Sequence, residues 1–148
     1  VPKIETIEPI GALKKLRWLC YRGGMWNANH ADTLEHLASL SNLEALVLHN
    51  LKVSKGGLKP LAALKSLAFL ALSNQFETED YAYLSVHMSE TKCAQFAAYQ
   101  QLNASKYGDI MVTGKRKPFL KSRDPKDQVR LQKFVTAFNK LQERFRTT

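Results

Sequence analysis

Leucine recurs through the first half of the chain in a pattern that changes period. Leu13, Leu16 and Leu19 lead to Tyr21; Leu34, Leu37, Leu40, Leu43 and Leu46 lead to Leu48; Leu58, Leu61, Leu64, Leu67 and Leu70 lead to Leu72. Leucines three apart suit a helical or 3₁₀ turn with one buried face. The closing pairs two apart suit a short strand whose alternate side chains point inward. Each unit therefore predicts a turn of helix followed by a strand. Ile4, Ile7 and Ile10 carry the three-residue step backwards from Leu13. The competing arrangement is a bundle of leucine-striped helices. Gly23-Gly24, Gly56-Gly57 and Pro60 weigh against it, because they interrupt any long helix.

Beyond the third unit the pattern changes. Thr78 is the expected N-cap of a helix, with Glu77, Glu79 and Asp80 as its acidic first turn and Tyr81, Leu84 and Met88 as its buried face. The same acidic cluster has the composition of a metal site, but it lacks the oxygen-ligand loop of calcium sites, and a cap is the better reading. Strands are expected at 93–99 and 109–113, the second bounded by Gly108 and Gly114, as an antiparallel pair around a loop at 103–107. The last helix is the clearest local prediction. Asp124 is a suitable N-cap, Pro125 stands at the first helical position and Asp127 lies in the first turn. Leu131, Phe134, Val135, Phe138, Leu141 and Phe145 then form one apolar stripe, expected to pack on the last repeat.

The switch from period three to period two resembles the leucine-rich-repeat family over about residues 4–84. Leu19 to Leu46 spans 27 residues and Leu46 to Leu70 spans 24, within that family's range of about 20–29. The resemblance implies an α/β leucine-rich-repeat solenoid over 1–88. Its short parallel strands would line a concave face. A capping extension over 89–148, made of a small two-stranded element and an amphipathic helix, would pack on the last repeat. In that family an asparagine after the strand bonds turn backbone; Asn50 and Asn74 stand one position before the usual place. The tail, through Gln75-Phe76, Glu79-Asp80-Tyr81, Cys93 and 114–120, resembles an extension of bacterial leucine-rich-repeat proteins of undefined function. That implies a folded cap and, by analogy of fold, an adaptor, immunity or effector role. A solenoid shields its terminal repeats, and no cap precedes Ile4. The expectation is a piece of a longer array, or a first repeat covered by a partner chain such as a second copy.

Charge adds a second theme. The chain of 148 residues has a formal net charge of +9. Residues 1–105 carry 10 basic and 9 acidic side chains, whereas 106–148 carry 12 and 4. The excess is thus confined to the last third, which marks it as a separate element. No apolar run is long enough to cross a membrane. Cys20 and Cys93 have no metal-ligand spacing and make no disulfide framework, so free thiols in a cytoplasmic, reducing compartment are expected. His30, His36, His49 and His87 form no zinc pattern with them, and phosphate-binding glycine loops and serine elbows are missing. A Cys93–His87 nucleophile pair is less favoured than a cysteine packed in the core. An enzyme is therefore not expected, nor a cofactor or metal.

Two candidate sites follow. Aligning the strands puts Trp18, Ala45 and Phe69 in one outward ladder, Cys20, Val47 and Ala71 in the next, and Arg22, His49 and Ser73 in a third. This is an apolar surface with aromatic anchors flanked by cations, suited to a protein or peptide partner at Trp18, Cys20, Arg22, Val47, His49, Phe69 and Ser73. A missing repeat or the tail is the alternative cover for it. The second candidate is the basic cluster Lys115, Arg116, Lys117, Lys121 and Arg123 with Phe119 among it, suited to nucleic acid or another acidic partner.

Overall fold

The structure, a computed structural model, describes residues 6–103 and 105–147. Ile4 lies outside them. The strands β1 (Trp18–Arg22), β3 (Ala45–His49) and β5 (Phe69–Leu72) form a parallel sheet in the order β1-β3-β5. Its register is the expected one: Trp18 faces Ala45 and Ala45 faces Phe69, while Cys20, Val47 and Ala71 align in the same way. A second parallel sheet pairs β2 (Asn29–Thr33) with β4 (Leu51–Lys55). Short 3₁₀ turns at Glu8–Ala12, Glu35–Leu37 and Lys59–Ala63 carry the three-residue leucine step. Leu34, Leu37, Leu40, Leu43, Leu46 and Leu48 are all buried at 1% exposure or less, so the repeated leucines are core.

The remainder consists of α1 (Thr78–His87), an antiparallel sheet of β6 (Tyr99–Gln101), β7 (Ile110–Val112) and β8 (Phe119–Leu120), and α2 (Pro125–Arg146). This overturns the expected class. The chain is not the leucine-rich-repeat solenoid with a two-stranded cap. Among the described residues it is an α/β structure of eight short strands in three small sheets, parallel and antiparallel, with two α-helices. Leucine spacing marks which positions face inward but not how many strands share them. The segments 29–33 and 51–55 are mostly polar and bury only Ala31 and Leu51, yet their backbones pair into a sheet.

The unequal repeat lengths have a local cause. Six residues, 23–28, separate β1 from β2, whereas Asn50 alone separates β3 from β4. Two fewer residues between the second-sheet strand and the following 3₁₀ turn offset part of this, leaving 27 against 24. Asn50 makes the tight turn in the left-handed region (φ 50°), where asparagine is tolerated. Its Nδ2 donates to the Gly24 carbonyl at 2.6 Å, and its own carbonyl accepts from Asn29 N–H at 3.0 Å. Gly23 is required there, because a Cβ would run into the Asn50 carbonyl and the 27–29 backbone.

Three further expectations change in the tail. Thr78 is not the N-cap of α1 but its first residue; Glu77 stands at the cap, and the Thr78 hydroxyl donates to the Thr113 carbonyl at 3.0 Å. The strand expected at 93–99 survives only as β6, starting at Tyr99. The chain before it, 91–95, instead runs along β5 and its lead-in: Thr91 Oγ1 donates to the Leu67 carbonyl at 2.7 Å and Gln95 Nε2 to the Leu72 carbonyl at 2.8 Å. The expected pair gains β8 as a third strand. Asn74 holds this sheet to the repeats by accepting from Gly114 N–H at 2.7 Å and donating to the Val112 carbonyl at 2.9 Å. Asp124 caps α2 as expected, accepting from Lys126 N–H at 2.9 Å. Tyr81, Leu84 and Met88 are buried, and Phe138 and Phe145 join them in one core with the repeat leucines. Ile110, Val112 and Leu120 form a smaller core with Leu131 and Phe134.

Candidate protein-binding face

Alternation along β1, β3 and β5 sends one set of side chains into the core and the other to the open face. Leu46, Leu48, Leu70 and Leu72 fill the core, while Leu19 and Tyr21 on β1 are half-buried against it. On the open face Trp18 is 70% exposed and Phe69 46%, with Ala45 buried in the register position between them. The two rings thus bracket a small residue, which makes a shallow apolar step. Cys20 is exposed; Val47 and Ala71 are half-buried. Arg22 is exposed beside half-buried His49, and the His49 carbonyl accepts from Gly23 N–H at 2.9 Å. Ser73 lies just past β5. Its N–H donates to the Leu48 carbonyl at 3.2 Å and its Oγ accepts from Asn50 N–H at 3.2 Å. All seven sequence-predicted residues therefore belong to this one sheet face or its immediate end.

At the other end of the strands Arg17 grips Glu44 through two contacts of 3.0 and 2.9 Å. Both side chains are largely exposed, so the pair orders neighbouring strands without adding much stability. Sequence reasoning missed the loop 23–28, which carries Met25 (86% exposed) and Trp26 (89%) beyond the end of β1. Gly23-Gly24 signalled a loop. Nothing in the leucine pattern signalled that the loop would project two large apolar side chains. Leu13, at 54% exposed, adds an apolar groove with Ala12 and Leu16 beside the start of β1.

The basic residues are divided rather than gathered. Lys115, Arg116 and Lys117 occupy the turn between β7 and β8, pinned where Lys115 N–H donates to the Phe76 carbonyl at 2.7 Å. Lys115 and Arg116 line a cleft of about 590 Å³ whose other lining residues include Glu77 and Asp80. Asp80 accepts from Leu58 N–H, and burial raises its pKa. Lys117 Nζ lies 5.6 Å from the Phe134 ring, and Lys121 and Arg123 follow β8 on its other side.

Cys93 is half-buried against the main core, its thiol donating to Gln95 Oε1 at 3.5 Å, and burial pushes its pKa up to about 11. That is the opposite of an activated nucleophile. His87 packs at a tilt of 46° against Tyr83, 4.3 Å between ring centres. Both cysteines are free. Among the described residues no group of three or more His, Cys, Asp or Glu side chains could hold a metal ion, and no helix is long and apolar enough to cross a membrane. No family model, no curated protein and no solved structure matches this chain.

Proposed function

We propose that the protein is a non-catalytic, cytoplasmic scaffold that binds a protein or peptide partner on the open face of the β1-β3-β5 sheet. The carrying observation is the exposed pair Trp18 and Phe69, aligned across Ala45 on a sheet whose other side packs on the leucine core. Large aromatic side chains at the centre of a contact supply most of its energy, and Arg22 and His49 stand where rim contacts form. A relationship to leucine-rich-repeat proteins is part of this reading and rests on the leucine spacing. The partner is an extended or turn-forming segment with apolar side chains, because the face offers rings and small residues rather than charge.

The test is selection of binders from a random peptide library against the wild-type protein, followed by titration on Trp18→Ala/Phe69→Ala. The reading predicts peptides that lose at least tenfold in affinity on the double variant, since truncating an interface anchor costs about 2 kcal/mol or more. Peptides that bind both proteins equally would refute it.

A further inference from the structure

The small antiparallel sheet has a face of its own that the main sheet does not use. Register places Gln100 opposite Met111 and Met111 opposite Phe119, so these three side chains form one row across the sheet. They lie on the side away from Ile110, Val112 and Leu120, which pack on α2. Phe119 is 45% exposed. Tyr107, 64% exposed, sets its ring 6.5 Å from the Phe119 ring at 47°, and Lys106 Nζ sits 4.7 Å from the Tyr107 ring centre. Lys121 and Arg123, both exposed, follow directly on β8.

A second observation points to a ligand. Among the described residues one shielded side-chain polar atom makes no hydrogen bond, and it is Nε2 of Gln100 in this same row. A buried donor without an acceptor costs free energy unless something else satisfies it. Asp109, just before β7, is already engaged: it accepts from Ser122 N–H at 2.8 Å, from the Ser122 hydroxyl, and from Gln101 Nε2 at 2.9 Å.

We propose that this face binds single-stranded nucleic acid, with unpaired bases stacking on Tyr107 and Phe119. The Gln100 amide, shielded in the free protein, would turn outward to donate to a base acceptor, and Lys106, Lys121 and Arg123 would meet the backbone phosphates. Two exposed aromatic rings, one with a lysine ammonium over it, are the elements of sequence-tolerant single-strand binding. A duplex hides its base faces and leaves the rings unused. An acidic peptide would engage the cations and leave both the rings and the amide without a role. The excess of basic side chains in 106–148 supplies the attraction.

The test uses the whole chain and fluorescein-labelled oligo-dT and oligo-U, read by anisotropy across a salt series, with a duplex of equal length and poly-glutamate as comparison probes. Single strands bind more tightly than the duplex, and poly-glutamate competes weakly. Tyr107→Ala/Phe119→Ala lowers affinity by roughly tenfold or more with an unchanged salt slope. Lys106→Ala instead reduces that slope by about 0.7. Absence of saturable binding, equal affinity for the duplex, equally effective competition by poly-glutamate, or unchanged affinity of the aromatic variant would each overturn the proposal. If the double variant loses its far-ultraviolet spectrum, Tyr107→Ala alone decides, because that ring stands outside both cores.

Discussion

The two outer edges of the β1-β3-β5 sheet have the same strand pattern and opposite surroundings. At β5 the edge is closed: Leu70 N–H donates to the Lys92 carbonyl at 3.0 Å, Lys92 N–H to the Ala68 carbonyl at 2.9 Å, and Thr91 and Gln95 bond carbonyls on either side. Leu70 and Leu72 are 1% and 3% exposed in consequence. At β1 no described residue pairs with the far edge, and Leu19 and Tyr21 stay half-buried while Leu13 is 54% exposed. Identical apolar spacing thus goes with a closed core at β5, where a neighbour covers the edge, and with half-exposed side chains at β1, where no described residue does. The candidate face grades from its closed end at Phe69 to its open end at Trp18.

Core truncation should separate the two ends most strongly. Leu70→Ala is expected to cost about 2–5 kcal/mol, as for a fully enclosed leucine, while Leu19→Ala costs roughly 1 kcal/mol because much of its side chain already meets water. Urea denaturation measures both, and equal losses would erase the distinction. Next in size, Asn74→Ala removes both hydrogen bonds that its side chain makes to the antiparallel sheet and strands the buried Gly114 N–H, for about 1–3 kcal/mol. Amide exchange at 110–114 should accelerate while β3 stays protected; unchanged exchange would mean the sheet is held by other contacts.

Acid should loosen both ends. Hydrogen bonds from the Ser122 hydroxyl and N–H hold the Asp109 carboxyl down to about 2, and His36 holds that of Asp32 well below the usual carboxylate range. A depressed folded-state pKa gives stability that is present above the unfolded value near 4 and is lost as pH falls through the folded one. For Asp109 the window runs from about pH 4 down to about 2. Asp109→Asn should flatten the acid limb of a stability–pH curve, and a limb of unchanged slope would contradict this source. The smallest effect leaves stability untouched: at neutral pH a thiol-specific reagent should label exposed Cys20 quickly and Cys93 slowly, because Cys93 is shielded and mostly protonated. Two thiols reacting at one rate would place the 91–95 segment off the β5 edge.

Much of this difference was written in the residues, and part was not. The leucine steps identified the inward positions, and one alignment of Leu19, Leu46 and Leu70 was enough to give the observed strand register. Asp124-Pro125 and the six-membered apolar stripe gave α2 its start and its buried side. The expected class failed because the added strands give little local signal: β2 is mostly polar, β4 offers only Leu51 and Val53, and β8 is two residues long, so each forms chiefly through backbone pairing. Thr78 had the composition of a cap, but its hydroxyl was drawn to Thr113, 35 positions away, a contact no local pattern encodes. The aligned ladders found Trp18 and Phe69, yet neither the projecting Met25-Trp26 loop nor the pairing of Tyr107 with Phe119 follows any repeat.

If the open face is free to receive a partner, Trp18 reports on it. In Trp26→Phe protein Trp18 is the only tryptophan, and its emission can be followed with acrylamide as quencher, before and after a selected peptide is added. A free face gives long-wavelength emission that acrylamide quenches readily, then a blue shift and protection once the peptide binds. Emission already blue-shifted and protected in dilute protein alone, or unchanged at saturating peptide, would contradict it.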